Sequence, residues 1–386
     1  MTKFLLGSAM ALLLSGGAMA DGPVFGAAPE WTDPETGNSF KFRGRIFYDF
    51  AAVSVDTTGR DESYTASEMR TGRLGVEGSW FGFEYKAEWD FSGDNVSAKD
   101  VSLEWDAGDF AITIGNQKTP NSLEEWSSSR YITFMERGQV TDAFRLDRRI
   151  GVAISTGGDN YSFRAGIFGG NVSEDLSGSS MSESFALAAR ATFTPINTDT
   201  RILHLGGSFR YYDRGDNSGT AIRVRSRPNV HLAERLVDVN TGADNSTLLA
   251  LEAAYIAGPF HAHAEFMTED ADGSPDNFNG GFVNIGWFLT GEQRAYRASS
   301  GALRRTSPAR PLSEGGNGAW EIAGRYDYID TDSGGELTTY TFGLNWYPES
   351  HVRFTVNAVA AQADGAGARL GEGDFTAIQA RAQIDW

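Results

Sequence analysis

Apolar and charged residues alternate one by one over Phe83–Phe91, where Glu, Lys, Glu and Asp separate five apolar side chains. A similar period of two recurs over Tyr161–Ile167 and Tyr340–Trp346. Successive side chains of a β-strand point to opposite faces, so each segment predicts a strand with one apolar and one polar face. Because helical periodicity is weak almost everywhere, the chain is predicted to be all-β.

The connections between the predicted strands come in two lengths, and short and long ones alternate along the chain. The alternating runs give about sixteen strands, from Phe40–Val55 to Phe375–Trp386. Ala221–Arg227 fits either a further strand or part of a loop. Many antiparallel strands with short turns at one end and long loops at the other are typical of an outer-membrane β-barrel. The long polar segments are roughly Lys118–Asp147, Asp213–Asn245 and Gly291–Gly316.

A soluble β-sandwich also alternates, but three features favour a transmembrane antiparallel β-barrel. Many predicted strands have ten or more residues, enough to cross a bilayer at a tilt. Aromatic residues lie at strand ends, as in an interfacial girdle. The last strand ends in Trp386, and a terminal aromatic of this kind is what the barrel-assembly machinery reads. The girdle candidates are Trp89, Trp105, Trp287, Trp346 and Trp386.

The first twenty residues have the layout of a secretory signal peptide. Lys3 is followed by the apolar run Phe4–Leu14 and by the small-residue site Ala18–Ala20. The run is too short to span a bilayer, and a short buried helix is the alternative. We predict a signal peptide at residues 1–20 and an outer-membrane barrel over 21–386, with a flexible periplasmic lead-in at 21–39. Together with the barrel, this layout assigns the protein to the lipid of a Gram-negative outer membrane.

The chain is strongly acidic, with 33 Lys and Arg against 51 Asp and Glu and a formal net charge of −18. Removal of residues 1–20 takes away Lys3 and no acid, which leaves −19. Nucleic acid requires a basic surface and is therefore not an expected partner. Because the chain has no cysteine, disulfides, thiolate metal sites and cysteine nucleophiles are excluded.

No catalytic, metal or cofactor site stands out, and the chain is predicted not to be an enzyme. His261 and His263 form a His-x-His pair that could bind metal, but without a third ligand two lumen-facing polar residues are favoured. No glycine-rich phosphate loop follows a strand and opens a helix, so a nucleotide cofactor has no support. An outer-membrane hydrolase and a structural or adhesion role stay as alternatives; the second predicts no ion conductance.

If the apolar face of each strand meets lipid, the other face lines the bore, and its charged residues are mostly arginine. Arg43 and Arg45 on the first strand and Arg73 on the second are inward candidates. Arginine stays charged at any working pH and can donate two N–H groups to one phosphate or carboxylate. The predicted lumen therefore offers charged N–H donors to anions.

Arg223, Arg225 and Arg227 also alternate, so an extended chain would place them about 7 Å apart on one side. They could pass an anion from site to site, or they could belong to a solvated loop. The acidic total does not exclude an anion channel, because selectivity follows the field at the narrowest point. Acidic residues near the mouth would still repel anions, so the strength of an anion preference stays open.

Several multi-residue motifs follow one another along the chain. They are Arg73–Gly78, Tyr85–Gly93, Ile114–Glu125, Phe134–Arg137, Arg148–Val152, Trp287–Tyr296, Gly318–Glu321 and Leu344–Pro348. These motifs resemble the phosphate-selective outer-membrane porin O/P family, and the similarity keeps its order over essentially the whole mature chain.

This resemblance implies a passive diffusion channel for small anions, with phosphate or polyphosphate as candidate solutes. It implies a homotrimer of sixteen-strand barrels, each with a third long loop, here residues 118–147, folded inward as the constriction. The implied anion-binding residues are Lys118, Ser122, Arg130, Asp90 and Arg45. The implied arginine ladder comprises Arg43, Arg73, Arg223, Arg225 and Arg227.

The chain departs from the family pattern in its lysines, since none follows Lys118. Phosphate-specific members carry a lysine cluster at the outer vestibule. Loop arginines such as Arg294, Arg297, Arg304 and Arg305 could replace it. A weakly selective general porin for small acidic organic solutes is therefore the alternative prediction.

Overall fold

The computed structural model describes residues 28–172, 184–215, 222–365 and 367–386. The predicted signal peptide and residues 21–27 of the predicted lead-in lie outside these ranges. Sixteen antiparallel strands, with the short strand Glu30–Thr32 added at one end, form a sheet that closes on itself. The predicted all-β barrel of about sixteen strands is confirmed. Within the described ranges, no helix is long and apolar enough to cross a membrane.

The barrel strands are numbered in chain order. They are β1 (Ser39–Thr57), β2 (Arg60–Trp80), β3 (Phe83–Asp90), β4 (Ser97–Asp106), β5 (Ala111–Gln117), β6 (Arg149–Gly157), β7 (Tyr161–Phe168), β8 (Phe185–Asn197), β9 (Arg201–Asp213), β10 (Asn245–Ala257), β11 (Phe260–Ala271), β12 (Phe278–Phe288), β13 (Ala319–Asp330), β14 (Glu336–Glu349), β15 (Val352–Asp364) and β16 (Gly373–Asp385).

Burial along the strands follows the period of two in the sequence. In β1, Arg43 and Arg45 are buried inside the barrel, whereas Phe42 and Phe50 are 46% and 56% exposed on the outside. The register places Arg45 directly beside Arg73 of β2, so charged side chains of neighbouring strands meet in the lumen. The polar-inside, apolar-outside pattern is typical of a barrel that stands in lipid.

Large apolar side chains cover the outer surface and are roughly half exposed. A surface of this kind is stable in the hydrocarbon of a bilayer, where the closed sheet leaves no unpaired edge. Examples from around the barrel are Trp89, Trp105, Leu251, Trp287, Phe342 and Ile378.

The barrel closes where β1 meets β16 and the last residue of the chain. The backbone N–H of Trp386 donates to the carbonyl of Gly44 at 3.0 Å, and that of Gly44 donates back at 3.1 Å. The indole ring of Trp386 lies over Gly44, where any side chain would overlap the ring. The terminal aromatic therefore caps the seam of the barrel.

Seven connections lie at the end of the barrel that holds Trp386, and six of them have two to four residues. Short turns of this kind face the periplasm in outer-membrane barrels. The seventh connection, residues 289–318, is long and is an exception to the predicted pattern of short turns at this end. The long segments 118–148 and 214–244 connect strands at the opposite end.

The segment 118–148 crosses the lumen and carries two short helices, α1 (Leu123–Trp126) and α2 (Gln139–Ala143). Glu124 in α1 forms an ion pair with Arg325 of β13, on the opposite wall from β5. Arg353 of β15 donates to the carbonyl of Ile132 at 2.6 Å, and Arg381 of β16 to that of Met135. Inward-facing arginines thus hold this segment inside the barrel.

A hairpin in the segment 222–244, formed by Arg223–Ser226 and Val237–Asn240, also lies inside the barrel. Val237 is fully buried in an apolar core that includes inward-facing Val53 and Leu248 of the wall. Burial of each Val or Leu side chain contributes about 1.5–3 kcal/mol. The expectation that inward faces are polar is wrong at this level, because the hairpin covers the wall there.

The segment 289–318 enters from the periplasmic end. Arg294 is almost fully buried and donates to the Thr133 hydroxyl at 3.1 Å, which ties this segment to 118–148. The Tyr296 hydroxyl lies 2.6 Å from Nδ1 of His204 on β9. These contacts pack the segment between the wall and the first inward segment.

Candidate functional site

A cavity of about 1110 Å³ remains open beside the wall formed by β1 to β7. The segment 118–148 forms its other side, and residues 227–235 and 300–305 contribute to its edges. The lining contains eighteen Lys and Arg residues against nine Asp and Glu residues, a formal excess of nine positive charges. The cations are Lys41, Arg43, Arg45, Arg70, Arg73, Lys86, Lys99, Lys118, Arg130, Arg137, Arg145, Arg148, Arg164, Arg227, Arg235, Arg304, Arg305 and Arg381.

This charge balance is the reverse of that in the rest of the chain. The whole chain has 33 Lys and Arg residues and 51 Asp and Glu residues. Outside the lining there are therefore 15 Lys and Arg residues and 42 Asp and Glu residues. A cleft that is lined by one sign of charge and walled by low-dielectric protein concentrates ions of the opposite sign. The lining of the cavity is therefore positively charged although the protein is acidic.

Most of the predicted site residues line this one cavity. They include Arg45 on β1, Asp90 on β3, and Lys118 and Arg130 on the inward segment. Three of the predicted ladder residues line it as well: Arg43, Arg73 and Arg227.

Three predicted residues lie elsewhere. Ser122 is fully buried at the N-cap of α1, where its hydroxyl faces the backbone N–H of Glu125 at 3.5 Å. Arg223 and Arg225 point to the exposed side of the hairpin, and Arg223 pairs with Asp238 at 2.8 Å. The alternation that placed these arginines on one side is present, but that side is not the cavity wall.

The wall of the cavity on β1 to β3 carries two rows of charged side chains. The row nearer the periplasmic end runs from Arg43 across Gly75 to Glu88. The next row runs from Arg45 across Arg73 to Asp90. Arg73 Nε donates to the Asp90 carboxylate at 2.8 Å. These neighbours hold the guanidinium groups in fixed positions around the cavity.

Lys118 follows β5 and lies at the root of the inward segment. Its ammonium contacts the carbonyls of Glu125 and Ser127, the second at 3.2 Å. Burial lowers the pKa of Lys118 to about 7, and the carboxylate of Glu125 opposes this shift. Lys118 therefore changes its charge within the physiological pH range, and a bound anion would favour the charged form.

Arg130 lies near the periplasmic side of the cavity. It is 3.3 Å from the Asp385 carboxylate, which also accepts hydrogen bonds from Arg305 at 2.6 and 2.8 Å. Both guanidinium groups lie over the ring of Tyr131, at 5.0 and 5.4 Å. One carboxylate thus faces two arginines, which leaves net positive charge at this position.

Five lining arginines form no ion pair with a carboxylate within the described ranges: Arg145, Arg164, Arg227, Arg235 and Arg304. Arg164 lies over the ring of Trp126 at 5.3 Å, and Arg227 donates to the carbonyl of Ala233 at 2.9 Å. Positive charges that lack an internal counter-ion attract mobile anions most strongly.

Sequence reasoning missed Arg235 because it lies in a long segment without periodicity. Burial, together with the like charges of Arg227 and Arg225, lowers the pKa of Arg235 to about 10, so it stays charged at neutral pH. No sequence pattern around Arg235 indicated that its side chain lines the cavity.

The histidine pair has other partners. Nε2 of His261 lies 2.6 Å from Glu321, and Nε2 of His263 lies 2.8 Å from Glu265. Neither histidine lines the cavity. The residues that the structure describes contain no group of three or more His, Cys, Asp or Glu side chains that could hold a metal ion.

A closed barrel with an apolar outer surface and an interior cavity lined by charged side chains defines an outer-membrane channel protein of a Gram-negative bacterium. Residues 40–386 match the family described as phosphate-selective porin O and P. The chain belongs to this porin family.

Two relatives agree with the family assignment. An uncharacterized protein of Caulobacter vibrioides is 33% identical over 379 residues, covering 93% of this chain and 75% of the relative. Porin O of Pseudomonas aeruginosa is 23% identical over 397 residues, covering 89% and 88%.

Solved porin structures share the fold. An anion-selective porin from Comamonas acidovorans superposes with a TM-score of 0.56 at 11% identity, over 90% of this chain and 100% of its own. OmpT of Vibrio cholerae, in its trimer form, gives a TM-score of 0.56 at 12% identity, over 90% and 99%.

Proposed function

We propose that the protein is a passive diffusion channel that prefers small anions, with phosphate or polyphosphate as candidate solutes. The observation that carries the proposal is the formal excess of nine positive charges around the cavity of a protein whose net charge is −18. Guanidinium groups stay charged at any working pH and replace part of the water that an entering anion sheds. Membership in the family and the anion-selective porin among the structural neighbours support it.

In this proposal residues 118–147 form the constriction, and an anion passes along the wall of β1 to β3. Arg45, Lys118 and Arg130 donate to it, and Asp90 moderates its binding so that it can leave, since conduction requires weak sites. Arg43, Arg73 and Arg227 continue the arginine ladder within the cavity. Arg223 and Arg225 contribute to the field at the extracellular mouth, and Ser122 acts by capping α1.

The assembly is part of the same proposal. Residues 1–20 are a signal peptide, 21–39 a periplasmic lead-in, and Trp386 is the residue that the barrel-assembly machinery recognises. We propose a homotrimer, supported by the family resemblance and by the trimer form of the OmpT neighbour. Cross-linking of the purified protein in detergent, followed by mass determination, tests the trimer directly.

The zero-current potential of the channel in a potassium chloride gradient tests the anion preference. We expect the sign that corresponds to chloride permeation, because the lining carries twice as many cations as carboxylates. A potential of the opposite sign would reject the proposal.

A weakly selective porin for small acidic organic solutes is the second candidate. The observation that favours it is the size of the cavity, about 1110 Å³, which exceeds the space that one phosphate ion needs. Block of the chloride current by submillimolar phosphate separates the two candidates. Such block supports a phosphate-binding channel, and its absence in an anion-selective channel supports the second candidate.

A further inference from the structure

One carboxylate is held by three arginines of the cavity wall. The carboxylate of Glu88 lies 3.3 Å from Arg43 Nε, 3.1 Å from an Arg45 Nη and 3.1 Å from an Arg73 Nη. The side chain of Glu88 is 1% exposed and does not line the cavity, whereas all three arginines do. Glu88 therefore lies behind the guanidinium groups that an anion in the cavity would meet.

The local sequence makes room for this arrangement. Gly75 stands between Arg43 and Glu88 in the same row across β1, β2 and β3. A side chain at Gly75 would clash with Glu88 and with the backbone of Ala87. The glycine thus leaves space above the sheet in which the three guanidinium groups close around the carboxylate.

The remaining contacts of the cluster show how its charge is divided. Arg43 also pairs with Glu77, and Arg73 also pairs with Asp90. Arg45 lies 3.2 Å from the Ser129 hydroxyl of the inward segment and has no carboxylate other than Glu88 within the described ranges. Glu88 is therefore the carboxylate that all three arginines share.

We propose that Glu88 is an internal counter-anion that sets how tightly the arginine cluster holds a permeating anion, which makes it a residue that determines affinity and selectivity. This inference rests on the proposed anion channel. Three guanidinium groups without a carboxylate would bind a multiply charged anion such as phosphate tightly and release it slowly. A shared carboxylate occupies part of their N–H groups and lowers the net charge, so anions bind weakly and leave quickly.

The test is phosphate block of the chloride current through single channels of Glu88→Gln. The substitution removes the charge and keeps the size and one carbonyl acceptor. We expect the half-blocking phosphate concentration to fall about tenfold, which corresponds to about 1.4 kcal/mol of tighter binding. The phosphate current itself should decrease, because a tightly held ion leaves slowly.

Glu104→Gln is the matched control. Unlike Glu88, Glu104 lines the cavity; its carboxylate accepts a hydrogen bond from Thr113 at 2.6 Å and forms no ion pair with an arginine among the described residues. The same loss of one negative charge should change the half-blocking concentration by less than about twofold. Equal effects of both substitutions would reduce Glu88 to a general electrostatic contribution and would overturn the inference.

Unchanged or weaker phosphate block in Glu88→Gln would also overturn it, because Glu88 would then serve only to position the arginines. If Glu88→Gln does not form channels, Glu88→Asp withdraws the carboxylate by one methylene group and should tighten the block about threefold. No tightening in that variant overturns the inference. A cation-selective wild type rejects the proposed function and this inference together, whereas an anion-selective wild type that fails these tests rejects the inference alone.

Discussion

The two halves of the barrel interior are built from the same alternating strands, yet one half is an open ionic cavity and the other is filled. On the side of β1 to β7, inward arginines face a cavity of about 1110 Å³. On the side of β8 to β15, inward side chains bind the inserted segments, as in the buried ion pair of Arg325 on β13 with Glu124 of the segment 118–148. Charged side chains inside a barrel can contact permeating ions where water remains. Where water is excluded, they hold the inserted segments in place.

The largest effect is expected from displacing the hairpin formed by Arg223–Ser226 and Val237–Asn240 from the barrel wall. Val237→Asp would bury an unpaired carboxylate in the apolar core between the hairpin and the wall, at a cost of several kcal/mol. The hairpin should leave the wall, and single-channel conductance should rise severalfold. Val237→Ala keeps the core apolar and should leave the conductance unchanged. If the Asp variant inserts and conducts like the wild type, the hairpin does not close that half.

A second prediction concerns the arginines that have no internal counter-ion. The double substitution Arg227→Glu and Arg235→Glu should lower the anion-to-cation permeability ratio about fivefold, because it reverses two charges that face the cavity. The zero-current potential measures this ratio. Arg201→Glu with Arg310→Glu makes the same charge change at exposed positions outside the lining and should leave the ratio nearly unaltered. Equal shifts of the permeability ratio in both double variants would contradict the proposal that anions pass through this cavity.

Arg130→Ala should weaken phosphate block by several-fold, because it removes a cavity donor while Arg305 still pairs with Asp385. The concentration dependence of block in single-channel recordings measures the change. Arg310→Ala, at an exposed position outside the lining, is the control and should have little effect. If current and block are both unchanged in Arg130→Ala, the assignment of this residue to the constriction is wrong.

The smallest effect is a pH dependence of the chloride conductance. Because burial lowers the pKa of Lys118 to about 7, its ammonium is mostly charged below this pH and mostly neutral above it. Conductance should therefore rise by up to about twofold as the pH falls from about 8 to about 6. Lys118→Arg should keep the high conductance at both pH values. His231 also lines the cavity, so the comparison is repeated with His231→Gln. A pH dependence that persists in Lys118→Arg and disappears in His231→Gln would assign it to the histidine.

The wall of the barrel could be predicted from the sequence because apolar and polar residues alternate along each strand and so mark its two faces. Phe42, Arg43 and Arg45 already separate lipid from lumen, and the terminal Trp386 closes the same sheet. Membership in the porin family was predicted from the resemblance of several motifs and is confirmed by the match over residues 40–386.

The filled half could not be predicted, since alternation does not show what covers a face. Leu337 of β14 is apolar and faces the lumen, where the hairpin, from an earlier part of the chain, packs against it. The side of the hairpin that carries Arg223 and the depth at which Arg235 lies depend on the same long-range packing. The predicted role of each site residue stays a prediction until a channel recording tests it.

Bromide can take the place of chloride and be located by its anomalous scattering in a crystal structure. This measurement tests directly whether anions occupy the open half of the barrel. We expect bromide peaks beside Arg45, Arg130 and Arg227, with none among the buried ion pairs of β8 to β15. Peaks confined to the filled half, or rubidium rather than bromide in the cavity, would contradict the account.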